Sequence, residues 1–335
     1  MHSNELTAEG LRPAIEDAAV PGCALEVEMA ESACARPVLA EIRFGHHAPL
    51  ATGALDIHVQ LEALQGSPVS ELWMANGAVQ HGSSGLIRHA SDSQHLFGVI
   101  ELGEREHGGI AASAATAYEA IAEFQHRSAF PHLLRMWNYL DDINVGDGDD
   151  ERYRQFCVGR SHGLRGLSVP GFPAATAIGH QHATGQLQVF WLAARIPGSA
   201  VENPRQVSAY RYPRVHGPAS PTFARATLAS NGALLISGTA SIVGHSSVHA
   251  EDVVAQVDET VRNMIALRAL ALPQAPPMRT LLKAYVRDPA DVETIARHLH
   301  AILPTELAAH EVTYLAADIC RRELLLEIEG IQIPA

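Results

Sequence analysis

The chain repeats itself at long range. "GGIAASAATAYEAIAEFQ", "HLLRMWNYLDDIN", "ERYRQFCVGR" and "GQLQVFWLAAR" read in order as a helix, a strand with a turn, a second helix and a last strand. "AEDVVAQVDETVRNMIALRALAL", "TLLKAYVRDPADV", "ETIARHLHAI" and "ELLLEIEGI" follow the same order in the second half. Leu133 and Leu134 correspond to Leu281 and Leu282, and Trp137 to Tyr285. An offset of roughly 150 residues is far beyond the ~20–50 of a solenoid, so a whole domain has been duplicated. Each copy offers strands, helix, strand, helix and strand, which predicts an α+β fold with helices on one face of each sheet. In the longest predicted helix Val253, Val254, Val257, Val261, Met264 and Ile265 share a face, and Glu251 and Asp252 stand at its positive N-terminal end. The expected division is an N-terminal domain over 1–200, with a degenerate copy at about 95–195, and a second domain over 201–335.

Charge and cysteine usage narrow the function. With 24 Lys+Arg against 37 Asp+Glu the net charge is -13, and basic residues form no runs, so neither nucleic acid nor an anionic membrane surface is an expected partner. The start, "MHSNELTAEG", is polar and acidic, and no apolar run approaches the ~18 residues of a membrane span. Cys23, Cys34, Cys157 and Cys320 lie far apart without CxxC spacing, which argues against a disulfide framework or structural zinc and fits a reducing cytoplasm.

Common chemical signatures are absent. There is no GxGxxG after a strand and no GxxxxGK[ST], and "HGSSG" at 81–85 lacks GxSxG spacing. His245 and His249 have i, i+4 spacing but precede a helix and lack an evident third ligand, so no metal site is expected. An arginine- and tyrosine-rich set does remain: Arg152, Tyr153, Arg160, Tyr210, Arg211, Tyr212, Arg214 and Arg225, most of it in the irregular stretch 195–229 between the copies. Guanidinium forks match carboxylates, so these residues point to a small anionic ligand, or else to ion pairs with Asp147, Asp149, Asp150 and Glu151. In "LLLEIEGI" alternation places Glu327 and Glu329 on one strand face, either exposed to water or facing a cleft. The corresponding strand of the first copy, "LQVFWLAA", carries no acid.

"ISGTASIVGHSSVHAEDVVAQVDETVRNMIAL", "KAYVRDPADVETI" and "ICRRELLLEIEGI" resemble the YjgF/RidA fold, related to chorismate-mutase-like units, whose single-copy members form trimers with clefts between subunits. "RMWNYLDDIN", "ERYRQFCVGR", "YPRVHGPASPTFARA" and "SGTASIVGHSS" extend the resemblance, from about residue 95 to the C-terminus, to the chorismatases. The resemblance implies two YjgF/RidA-like units in one chain, the first degenerate, behind an N-terminal extension; residues 1 to about 90 match no family stretch. It implies cleavage of the enolpyruvyl ether of chorismate to pyruvate and either a hydroxybenzoate or a dihydroxycyclohexadiene carboxylate, with no metal or organic cofactor. It further implies a catalytic Glu327 and ligand contacts at Tyr153, Arg160, Tyr212, Arg214 and Arg225. His216 stands where relatives are expected to carry tyrosine.

An enol ether reacts once its methylene carbon is protonated, so the acid must keep its proton near neutral pH, and an apolar strand supplies that environment. Ala240 in the "SGTASI" loop and Cys320, seven positions before Glu327, are expected to set the product; the resemblance links the cysteine to 3-hydroxybenzoate formation, with 4-hydroxybenzoate as a lesser product. A RidA-like imine hydrolase and a non-catalytic binder of aromatic or keto acids are the alternatives. One duplicated chain is expected to supply the cleft surfaces that single-copy proteins take from neighbours, so a monomer would suffice, and oligomers are also compatible.

Overall fold

A computed structural model describes residues 25–30, 36–45, 48–50, 52–65, 70–166, 171–181, 183–274, 278–307 and 311–335. The N-terminal stretch read above, Cys23 and Cys34 lie outside them. Within the described residues the architecture is α+β.

The first sheet comprises β1 (Val27–Ala30), β2 (Val38–Phe44), β3 (Leu55–Val59) and β4 (Ser70–Met74), in the order β1-β4-β2-β3. It is built from the N-terminal extension. The second sheet begins with β5 (Gln80–Ser84), β6 (Ile87–Ser91) and β7 (His95–Gly103) and continues, after α1 (Ile110–Arg127), with β8 (His132–Asp141), α2 (Arg152–Gly163), β9 (Ala174–His180) and β10 (Gln186–Ala194). The third contains β11 (Ser199–Val201), β12 (Ala226–Leu228) and β13 (Leu234–Thr239). A small hairpin, β14 (Ile242–Val243) and β15 (Ser246–Ser247), leads to α3 (Val253–Ala271), β16 (Met278–Val286), α4 (Val292–Ile302), β17 (Glu311–Ala316), β18 (Asp318–Ile319) and β19 (Leu326–Pro334). The stretch 195–229 is therefore not irregular throughout: its two ends are strands of the third sheet.

The repeat is visible in the topology. β8 pairs parallel with β9 and antiparallel with β10; β16 pairs parallel with β17 and antiparallel with β19. Phe190 lies opposite Trp137 as Glu327 lies opposite Tyr285, so the first copy puts a phenyl ring where the second puts a carboxyl. β18 of the second copy crosses to pair with β9 of the first and joins the two units.

Strand alternation gives each sheet an inner face, and the three inner faces meet in one core. That core takes Phe44, Ile57 and Trp73 from the first sheet, Trp137, Tyr139 and Phe190 from the second, and Leu235, Tyr285 and Ile331 from the third. Trp137 stacks on Phe190 at 5.0 Å and meets Trp73 edge-on at 5.8 Å. Helices cover the outer faces of the second and third sheets. Gly159 and Gly163 let α2 settle on α1, since a Cβ on Gly159 would stand 2.0 Å from the Ala111 carbonyl oxygen. That close contact fixes the outlook of Arg160, whose guanidinium stacks over Tyr118 at 4.9 Å.

On α3 the side toward the sheet carries Val257, Val261, Met264 and Leu267, while Val254 and Ile265, expected on the same face, are exposed. Buried Gln256, Thr260 and Asn263 occupy that side instead, and Gln256 and Asn263 bind polar groups of the loops below.

Candidate active site

Between the two copies lies a cleft of about 300 Å³, lined by α2, β9, the 212–225 segment, the loop after β13 and the turn before β19. Its size matches small-molecule sites. Helix α3 holds both loops: Asn263 donates to the Ala240 and Ile242 carbonyls, and Gln256 accepts the Leu325 N–H and donates to the Glu323 carbonyl. Arg287 clamps the turn from the other side, donating to the Ile319, Arg321 and Leu324 carbonyls and pairing with Asp318 at 2.7 Å.

Glu327 is buried on the inner face of β19 and its carboxyl reaches the cleft against Gly238 and Cys320, with the Cys320 Sγ 3.9 Å from Oε2. Burial first, and then the charge of Glu329, pushes its pKa up to about 8 against the opposing pull of Arg135 and Arg225. Glu329, two positions on, behaves oppositely. Burial alone would raise it, but Lys283 and Arg135 draw its pKa down to about 2. Lys283 bridges Glu329 at 2.8 Å and Glu71 at 2.6 Å, and Arg135 reaches Glu329 at 2.7 Å. Both glutamates therefore face inward, one neutral and one ionised.

Arg160 and Arg225 are 3% and 4% exposed, yet neither forms a salt bridge among the described residues. Arg160 donates to the Thr222 carbonyl; Arg225 donates to the Tyr212 hydroxyl at 2.7 Å and to the Val207 carbonyl; the Nε of each has no hydrogen-bond partner. A buried cation without a salt-bridge partner is costly, so two of them on one cleft are suited to accept carboxylates. Arg154, Arg321 and Arg322 also line it, giving five arginines against three glutamates, one of which holds its proton. The cleft is thus cationic in a chain of net charge -13.

Of the residues expected from sequence, Tyr153, Arg160, Tyr212, Arg225, Ala240, Cys320 and Glu327 line this one cleft. Arg214 does not: it sits in a single turn at the surface, 65% exposed, and pairs with Asp149 at 2.5 Å. Arg152 is likewise engaged, gripping Glu104 at 2.7 and 2.8 Å, and Arg211 and Tyr210 also lie outside the cleft wall. Spacing could not separate these arginines from Arg225, because their partners are distant in sequence. His216 does line the cleft, its ring 5.1 Å from Tyr212 and its Nε2 3.0 Å from His245 Nδ1. Burial, with Arg321 and His245 nearby, lowers its pKa to about 4, so it serves as an uncharged aromatic wall where tyrosine was expected. Among the described residues no group of three or more His, Cys, Asp or Glu could hold a metal ion, and His245 and His249 do not form one. Thr176, Phe223, Gly238 and Arg321 are also in the lining and were not singled out by sequence; the "SGTASI" motif was the available signal for Gly238.

Comparison with known proteins shows the family. Residues 71–193 match the family profile described as chorismatase FkbO/Hyg5-like, N-terminal. A chorismatase of Streptomyces rapamycinicus is 36% identical over 313 residues, spanning 87% of this chain and 90% of the relative. A 3-hydroxybenzoate synthase of Streptomyces hygroscopicus is 32% identical over 300 residues, spanning 83% and 86%. A chorismatase crystal structure superposes with a TM-score of 0.78 at 33% identity, covering 92% of this chain and 98% of the other. With sequence, overall fold and a shared length in agreement, the chain belongs to the chorismatase family.

Proposed function

We propose that this enzyme cleaves the enolpyruvyl ether of chorismate to pyruvate and a hydroxybenzoate, chiefly the 3-isomer with some 4-isomer. The observation that carries the reading is the pairing, in one cleft, of two buried guanidiniums without salt-bridge partners and one buried carboxylic acid. Chorismate has two carboxylates and an acid-labile enol ether, and so matches both halves of that pairing.

In the proposed mechanism Arg160 and Arg225, with Tyr153 and Tyr212, orient the dianion. Glu327 delivers its proton to the methylene carbon, whose π electrons form the new C–H bond, leaving an oxocarbenium ion and a Glu327 carboxylate. Capture by an oxygen already on the substrate, followed by aromatisation, gives products whose summed composition is that of chorismate. Capture by water gives pyruvate and the diene diol and consumes one water. Cys320, its thiol kept protonated by burial and the neighbouring Glu327, and the small Ala240 shape the wall where that choice is made. Both sides of the cleft come from one chain, so a monomer is a sufficient catalytic unit, which light scattering on the active species checks. Cys157 and Cys320 are free thiols, compatible with a reducing cytoplasm, and no described helix is long and apolar enough to cross a membrane.

The test is to incubate the protein with chorismate, assay pyruvate and resolve the organic acids by chromatography. Equimolar pyruvate and 3-hydroxybenzoate are expected. Pyruvate with only the diol would place the protein in the hydrolytic branch, and absence of pyruvate would overturn the reading in favour of imine hydrolysis or simple binding.

A further inference from the structure

We propose that Glu329 is a positioning residue for this reaction: a carboxylate clamped on the same strand face as Glu327, whose charge keeps the reactive proton on Glu327 until the substrate takes it. The inference rests on the chorismate reading for its chemistry and on geometry for its substance.

Every contact made by the Glu329 carboxylate is a donor or a cation. Oε1 accepts from the Trp137 indole N–H at 2.9 Å and pairs with Lys283; Oε2 accepts from Arg135 Nη2 and from the Thr176 hydroxyl at 2.5 Å. These partners come from β8, β9 and β16, and Lys283 is balanced in turn by Glu71 of β4, so all three sheets converge on one carboxylate. Such a clamp makes sense as core stability alone only at considerable cost, because replacing a buried ionic network by apolar residues is often neutral or stabilising. The clamped group lies two strand positions from Glu327, about 7 Å along the chain, on the same side of the sheet. Thr176 connects the two, since its hydroxyl binds Glu329 and also accepts the N–H of Gly238, the residue against which Glu327 lies.

The groups facing Glu327 are Arg135 from β8, Tyr153 from α2, Arg225 before β12, Cys320 before β19, Tyr285 opposite on β16, and Glu329 on its own strand. Those facing Glu329 are Arg135, Tyr139, Lys283, Tyr285 and Glu71. Two arginines beside Glu327 favour its carboxylate form; Glu329 is the only anion among these immediate neighbours that opposes them. The charge of the clamped Glu329 disfavours a second negative charge on Glu327, so the proton stays on Glu327. Once Glu327 has given its proton to carbon, the same repulsion favours its return from the oxygen nucleophile that captures the oxocarbenium ion.

The experiment compares wild type, E329Q and the charge-balanced R135M/E329Q. It reads the alkaline limb of kcat for chorismate together with the infrared titration of the Glu327 carboxyl, assigned by subtracting an E327Q spectrum. E329Q is expected to lower both midpoints by at least about one pH unit, a tenfold change in the proton dissociation constant. The double variant is expected to shift them the same way by less, and it decides the matter alone should E329Q fail to fold. A uniform loss of kcat with unmoved midpoints would mean a purely structural Glu329 and overturn the inference. If chorismate yields no pyruvate, the functional reading falls while the infrared titration still judges the role of Glu329.

Discussion

Glu327 and Gly238 touch across the β13–β19 edge so closely that a Cβ on Gly238 would stand 1.9 Å from the Glu327 Oε1. The glycine of the "SGTASI" motif therefore serves to admit the carboxyl. Gly238→Ala must push that oxygen aside, and because the obstructed atom ends a side chain the fold can yield. Pyruvate release should fall at least ~10²-fold, the lower end of a general acid's contribution, with melting temperature little changed. Undiminished turnover of a folded Gly238→Ala protein would show that the contact is unimportant.

Arg160→Ala and Arg225→Ala should each weaken binding of an inert dicarboxylate analogue by about 1.5–3 kcal/mol, the range for hydrogen bonds to charged groups. Lysine at either site should restore part of the loss, since it cannot form the bidentate pair. Arg214→Ala should leave calorimetric affinity unchanged, because its guanidinium is turned to Asp149 at the surface. Equal losses in all three variants would contradict the cleft assignment.

Glu327 gives the protein a signed pH dependence. Its folded pKa, about 8, exceeds the unfolded value of about 4.3, so its stabilising contribution is full below the unfolded value and is lost as pH rises through about 8. Glu329, with a folded pKa of about 2, contributes fully above its unfolded value and loses that contribution as pH falls. Activity should decline above about pH 8 as the acid deprotonates. The melting temperature of Glu327→Gln relative to wild type should rise from about pH 5 to about pH 9, since the amide escapes that loss. A constant difference across the range would place the Glu327 pKa near the solution value.

Cys320→Val tests product choice. The valine removes the thiol beside the Glu327 carboxyl and adds bulk to the wall, so chromatography should show part of the flux moved from hydroxybenzoate to diene diol. An unaltered product ratio would leave Cys320 as a small buried hydrophobe and no more.

Much of this was readable from the chain because it was written locally. The duplicated helices and strands carry their own periodicity, and an acid inside "LLLEIEGI" is conspicuous against apolar neighbours. The first sheet was not legible: its strands are short, β3 alone alternates cleanly, and they acquire meaning only when they close the central core. Arg214 and Arg225 look alike in sequence, and what separates them is Asp149, 65 positions from Arg214. The clamp on Glu329 was equally hidden, since Arg135 lies 194 positions away and Thr176 lies 153. Long-range partners of that kind leave no trace in spacing.

The most direct test of the account is single-turnover pyruvate release from chorismate by wild type and Glu327→Gln near pH 7, with folding checked by circular dichroism and analogue binding by calorimetry. The amide preserves shape and cannot deliver the proton, so release should drop ~10²–10⁴-fold while fold and affinity persist. A folded, ligand-binding Glu327→Gln protein that releases pyruvate at close to the wild-type rate would contradict it.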